Sequence, residues 1–158
     1  MQWFERLPGI ENDKDNIRGF FEDYRWLSNF HECEIHHNGL VFGSTEAAYQ
    51  AAKTLDPEVR KSFQDMKPSM AKKVGSNGLV LRPDWDDIKV QIMFEVNLDK
   101  YTRHKDLKEK LLATGTRRLE ETNWWGDTYW GVCKGVGQNQ LGKVLMEIRE
   151  RINPNNYD

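Results

Sequence analysis

The chain has 158 residues, 38% hydrophobic and 11% aromatic, including six Trp, seven Phe and five Tyr. That length and bulk suit one domain with a real core. No apolar run reaches the roughly 18 residues a transmembrane helix needs, and the sequence predicts no membrane span. The opening Met1-Gln2-Trp3-Phe4-Glu5-Arg6 has no basic stretch followed by an apolar one, so we expect no secretory signal and cytoplasmic residence. Cys33 and Cys133 stand far apart, outside any metal-like spacing, which suits a reduced compartment. The net charge of -2 hides an asymmetry. Residues 1–59 carry 5 basic and 11 acidic side chains, residues 60–118 carry 14 and 8, and residues 119–158 carry 4 and 6. The middle third could present a positive face to phosphates or a nucleic-acid strand; solvated helix faces explain the same pattern.

In chain order, residues 1–16 are polar and irregular and read as a loose arm. Residues 32–43 read as a hairpin, with Glu34-Ile35-His36 and Leu40-Val41-Phe42 flanking the turn pair Asn38-Gly39. Ser44 can cap a helix over 45–55, and Asp56-Pro57 opens another over 57–65. Pro68 starts a helix over 68–74, which Gly75 stops. Asp84 can cap a long helix over 85–102, whose Ile88, Ile92, Met93, Val96 and Tyr101 form an apolar stripe. A shorter helix spans 106–113, and 117–122 is a short strand. A last helix over 140–152 turns Leu141, Val144, Leu145 and Ile148 inward. The fold class expected is α+β: a mainly helical single domain with a small β-sheet or hairpin.

Three segments could carry chemistry. Glu46, Tyr49, Gln50 and Lys53 lie at i, i+3, i+4 and i+7, so they share one helix face, and the four alanines between them permit close packing. The positive end of the helix dipole favours an ionised Glu46 and burial opposes it, a tension suited to an acid/base group. A surface helix with a polar stripe is the plainer reading of spacing alone. Asn123-Trp124-Trp125-Gly126-Asp127-Thr128-Tyr129-Trp130-Gly131 crowds aromatic planes around one carboxylate. It fits base stacking and ribose hydrogen bonding, or core packing with Asp127 in a turn. Gly137-x-x-x-x-Gly142-Lys143 nearly matches a nucleotide phosphate loop. However, Val144 stands where a magnesium-binding hydroxyl is required, so a nucleoside triphosphatase is rejected. A glycine turn entering a helix can still offer N–H groups to a phosphate. The four His are not spaced as metal ligands, and no metal or other cofactor is expected.

Taken together, these segments resemble the NADAR (YbiA-like) family from about Phe20 to Ile152. The resemblance rests on Leu27-Ser28-Asn29-Phe30, Ser44-Thr45-Glu46, Gln50-Ala51-Ala52-Lys53 and Leu81-Arg82-Pro83-Asp84-Trp85. It continues through Leu111-Leu112-Ala113-Thr114-Gly115, Asp127-Thr128-Tyr129-Trp130-Gly131 and Asn139-Gln140-Leu141-Gly142-Lys143-Val144-Leu145-Met146. It implies a family domain over 17–153, a tail over 154–158, and N-glycosidase chemistry on ribose-linked substrates. One branch of the family acts on phosphoribosyl-aminopyrimidine intermediates of riboflavin synthesis, another removes ADP-ribose from guanine in nucleic acid. Ala47, Ala48, Val132 and Cys133 depart from the riboflavin-type pattern, which leans the expected substrate toward ADP-ribosylated guanine in DNA or RNA.

The residues this resemblance implies as catalytic are Glu46, Lys53 and Asp127. Those expected to bind substrate are Arg18, Ser28, Asn29, Phe30, Tyr49, Trp130, Gly131 and Asn139. Glu46 would stabilise the cation at C1 or activate water, or Lys53 would attack C1 and form an imine. Phosphates would lie against the glycine turn, Arg18 or the basic middle third. A module that holds ADP-ribose without turnover is the competing class.

Overall fold

The computed structural model describes residues 12–156. In chain order these form β1 (Asn16–Arg18), β2 (Glu32–His37), β3 (Leu40–Ser44), α1 (Thr45–Ala51), α2 (Pro57–Ser62), α3 (Pro68–Ser76), α4 (Trp85–Arg103), α5 (Lys105–Ala113), β4 (Arg118–Glu120), β5 (Thr122–Asn123), β6 (Val132–Cys133) and α6 (Gln140–Ile152). Short 3-10 turns occupy Glu22–Leu27, Phe63–Asp65 and Pro154–Asn156. The strands make three two-stranded ladders: β1 with β4 and β5 with β6 in parallel, β2 with β3 antiparallel. The expected α+β class is the one observed. Among the described residues, no helix is long and apolar enough to cross a membrane.

Several boundaries follow directly from local chemistry. Asn38 and Gly39 both take positive φ, 52° and 78°, as a tight hairpin turn between β2 and β3 requires. Ser44 caps α1, its Oγ accepting from the Ala47 N–H at 3.1 Å. Asp56 caps α2, accepting from the Glu58 and Val59 N–H groups with Pro57 at the first helical position. The core is built on α4, which packs against α1, α5, α6 and β2. Val96, Asn97, Lys100 and Tyr101 of α4 are wholly enclosed. Leu141, Val144, Leu145 and Ile148 of α6 are all buried, as the helical spacing required.

Four expectations are corrected. The helix expected over 45–55 stops at Ala51, and the Lys53 carbonyl instead accepts from the Arg82 N–H at 2.8 Å. Asp84 precedes α4 without capping it, because its carboxylate is taken by Arg82 at 2.7 and 3.2 Å. Gly75 lies within α3 rather than ending it. A Cβ there would collide with Gln50 Oε1, so this glycine lets α1 and α3 meet. The strand expected over 117–122 breaks at Glu121, where the pairing partner changes from β1 to β6. The arm expected over 1–16 lies, up to residue 11, outside the described residues. Beyond it, Asp13 accepts from the Asp15 and Asn16 N–H groups, and Asn16 already belongs to β1.

Candidate active site

α1 is short and buried along its whole length. Its alanines make this possible: Ala47 and Ala48 are fully enclosed by the core, so the polar side chains are left facing a cavity. That cavity has a volume of about 460 Å³. Glu46, Tyr49, Gln50 and Lys53 line it together, which confirms their shared face despite the early end of the helix.

The placement of Glu46 is over-determined. Its backbone N–H donates to the Asn29 carbonyl at 3.1 Å. The Asn29 side chain is held in turn, its Oδ1 accepting from Thr45 Oγ1 at 3.0 Å and from Asn97 Nδ2 at 3.3 Å. Beneath this loop, the buried Lys100 ammonium donates to the carbonyls of Trp26 at 2.7 Å and Ser28 at 3.1 Å. Burial pulls Lys100 down to about 8 from its ordinary value. On the other side, Gln50 Nε2 donates to Glu46 Oε1 at 3.0 Å. Gln50 has room only because residue 75 is glycine.

The electrostatics set the chemistry. Burial raises the Glu46 carboxyl above the usual carboxylate range, partly offset by the Gln50 hydrogen bond and by Lys72 and Lys53. Lys53 is moved the opposite way: burial lowers its ammonium, Glu46 opposes this, and Lys89 adds to it. Lys53 Nζ donates to the Gly75 carbonyl at 3.4 Å and lies 5.7 Å from the Tyr49 ring centre. A desolvated carboxyl group and a depressed lysine lining one cavity are suited to acid/base or nucleophilic work.

The second wall is the segment from Glu121 to Trp130. Asp127 Oδ1 accepts from the Tyr129 and Trp130 N–H groups at 3.1 and 2.9 Å. This turn ties down one carboxylate oxygen of a residue that lines the cavity. Asn123 braces the same loop, donating to the Asp127 carbonyl at 2.8 Å and accepting from its N–H at 3.0 Å. Trp130 meets Tyr49 edge to face at 5.6 Å, whereas Trp124 and Trp125, 4.6 Å apart, stay half exposed at the rim. Lys72 of α3 lies 5.9 Å from the Phe30 ring and 5.8 Å from Trp125, which brings a cation of the basic middle third to the cavity.

Of the residues named from sequence, Ser28, Asn29, Phe30, Glu46, Tyr49, Lys53, Asp127 and Trp130 line the cavity. Arg18, Gly131 and Asn139 do not. Arg18 reaches Asp13 at 3.1 Å. Gly131 permits close approach to the Glu121 carbonyl, which a Cβ would strike. Asn139 adopts φ 55°, its Oδ1 accepting from the Glu121 N–H and its Nδ2 donating to the Leu119 carbonyl, both at 2.9 Å. The glycine turn is also not open to a phosphate. The N–H groups of Gln138, Asn139, Gln140 and Leu141 already donate to the carbonyls of Thr128, Gly131, Tyr129 and Trp130, clamping the aromatic loop.

Sequence reasoning did not assign a site role to Arg25, Lys72 or Glu121, all of which line the cavity, whereas Trp124 and Trp125 of the aromatic segment line it too. The doublet Glu120-Glu121 carried a signal. Adjacent residues of an extended strand project to opposite sides, so one of two neighbouring glutamates turns inward. Among the described residues, no group of His, Cys, Asp and Glu is arranged to hold a metal ion.

A helical α+β domain whose aromatic-rimmed cavity is lined by a buried carboxyl group and a lysine has the side chains for acid/base or nucleophilic chemistry. The NADAR domain profile matches residues 14–153, and the chain belongs to the NADAR family. It is 34% identical over 145 residues to the protein named N-glycosidase YbiA of Shigella boydii, covering 88% of this chain and 90% of that one. It is 36% identical over 138 residues to an N-glycosidase of Nostoc punctiforme, covering 84% and 88%. A riboflavin biosynthesis protein of Vibrio vulnificus is 33% identical over 134 residues, 83% of this chain but 36% of that longer one. The NMR structure of Escherichia coli YbiA superposes with a TM-score of 0.79 at 32% identity, covering 92% and 89%.

Proposed function

We propose that this protein hydrolyses the N-glycosidic bond between C1 of a phosphorylated ribose and a base, and that its substrate is guanine carrying ADP-ribose in nucleic acid. The observation that carries the bond type is the desolvated Glu46 carboxylate beside a depressed Lys53 on one cavity wall. Breaking the bond develops positive charge at C1 and the ring oxygen, and a poorly solvated carboxylate stabilises that charge and accepts a proton from water. The N-glycosidase names of the relatives support the same chemistry.

Lys53 offers a second route. Its neutral amine attacks C1 as the base leaves with the C–N electron pair, the sugar ring opens to an imine on Lys53, and water hydrolyses the imine to free the sugar and the amine. Burial of the ammonium favours this route. Borohydride added during turnover separates the two: a sugar adduct on Lys53 by mass spectrometry supports the imine, and its absence supports water activated by Glu46. In either route, Asp127 accepts hydrogen bonds from ribose hydroxyls. Tyr49 and Trp130 shape the pocket, and Lys72 and Arg25 meet the phosphates.

Support for the larger base comes from the rim, where Trp124, Trp125 and Phe30 offer ring faces beside the Lys72 cation. Ala47 and Ala48 lie in the core and not in the cavity wall, so their departure from the riboflavin-type pattern acts only through packing. The similarity to the Vibrio riboflavin biosynthesis protein favours a phosphoribosyl-aminopyrimidine as the second reading. A parallel assay decides, using an ADP-ribosylated guanine oligonucleotide and the aminopyrimidine riboside phosphate with wild type and Glu46→Gln. We expect release of ADP-ribose from the first, with kcat lowered about 1000-fold in the variant. Preference for the second compound overturns the guanine assignment. Binding of both without turnover makes the domain a nucleotide-holding module.

A further inference from the structure

Glu121 stands at the junction of β4 and β5, on a different wall from Glu46, and both line the same cavity. Its main chain is fixed at both ends. The N–H donates to Asn139 Oδ1 at 2.9 Å, and the carbonyl accepts from the Val132 N–H at 2.9 Å and from Asn123 Nδ2 at 3.4 Å. Gly131 lets the next segment close over that carbonyl. The carboxyl is thus placed by a rigid frame, yet its Oε2 is buried without a hydrogen-bond partner among the described residues. An unpartnered buried carboxyl oxygen is costly for folding alone, and on a residue that also lines the cavity it marks a group kept for function.

Hydrolysis as proposed above also requires a proton for the base, which leaves with the electron pair of the C–N bond. Resting on that reading, we propose that Glu121 is a second catalytic residue, the acid that protonates the departing base. The C1–N bond breaks, its electron pair passes to the base nitrogen, and the Glu121 proton joins that nitrogen. Water adds its oxygen to C1 and loses a proton to Glu46, and solvent returns a proton from Glu46 to Glu121. The sum is sugar–base plus water giving free sugar and protonated base.

The surroundings of Glu121 favour the protonated form. Burial is the largest influence, Asp127 and Glu46 add repulsion, Lys72 opposes them, and the carboxyl is pushed up to about 8. Among the described residues, Lys53 and Arg25 are the other basic side chains on the cavity wall. Two carboxyl groups with different surroundings divide the acid and base roles as paired glycosidase carboxylates do.

The test compares wild type with Glu121→Gln on two substrates sharing one sugar phosphate. One carries the base that wild type releases, the other carries 4-nitrophenol at C1, which departs without needing a proton. With the base, we expect kcat/KM about 100- to 1000-fold lower in the variant; with nitrophenol, within about threefold of wild type. We also expect the wild-type decline with the base as pH rises through about 8 to vanish in Glu121→Gln and to survive in Glu121→Asp. Equal losses on both substrates, or an alkaline decline unchanged in Glu121→Gln, overturn the role. No base released by wild type overturns the N-glycosidase reading itself, whereas release by wild type with an unchanged variant overturns only the acid.

Discussion

The two walls of the cavity are built on opposite plans. The α1 wall is locked from behind: Asn29, Asn97 and Lys100 hold the Ser28–Phe30 loop, that loop holds Glu46, and Gly75 lets Gln50 hold its carboxylate. The wall from Glu121 to Trp130 is pinned at its base by Asn139 and Asn123, but its rim tryptophans are half exposed. The difference teaches where accuracy is needed. Groups that move protons require sub-ångström placement, and desolvation makes them effective. Aromatic faces that receive a ring need area and exposure more than exact position.

The comparison can be broken first at the base of the second wall. Asn139→Ala leaves the Glu121 N–H and the Leu119 carbonyl without their partners and places alanine at positive φ. We expect a loss of about 2–4 kcal/mol in denaturant unfolding, with activity falling even where the protein remains folded. Next, Gly75→Ala drives a methyl into Gln50 and leaves Glu46 without its aligned donor. We expect kcat about 10- to 100-fold lower with KM little changed; a wild-type kcat would show that Gln50 does not position Glu46. The smallest effect is expected at the rim. Trp125→Ala removes stacking area but no proton-moving group, so KM rises about tenfold with kcat nearly constant.

A pH measurement sharpens the same contrast. Glu121 has its carboxyl raised to about 8 from an ordinary 4.5. Its folded state therefore holds a proton that its unfolded state releases between those values. The resulting stabilisation is complete below about 4.5 and declines as pH rises through about 8. Glu46, raised by burial, acts in the same direction. Thermal melting of Glu121→Gln should therefore decline less between pH 5 and pH 8 than that of wild type; parallel declines would show that Glu121 does not carry the effect.

Much of this was legible beforehand where one local rule acted alone. The Asn38-Gly39 turn, the Ser44 cap and the inner face of 140–152 each follow from a few neighbouring residues. So does the shared face of Glu46, Tyr49, Gln50 and Lys53. What escaped depends on distant partners. Gly75 looks like a helix stop until Gln50 is known to occupy its space. Asp84 looks like a cap until Arg82 competes for it. Asn139 looks like a substrate ligand until Glu121 and Leu119 are seen to occupy both ends of its amide. The glycine turn looks like a phosphate cradle until its N–H groups are found clamping 128–131. Glu121 was hidden for the same reason: its orientation depends on which strand each half of 117–122 joins.

The ladder between β1 and β4 has a consequence for the order in which the molecule assembles. Asn16 pairs with Arg118, and the Gly19 N–H extends the ladder to the Glu120 carbonyl at 3.0 Å, one residue before Glu121. Three residues of parallel strand thus close a loop running through most of the chain, a slow event that local helix formation does not assist. The wall that carries Glu121 is therefore seated by a contact between segments far apart in the chain. During refolding, helical ellipticity should recover before catalytic competence, and the lag should lengthen when β1 is weakened, even though no residue of β1 lines the cavity.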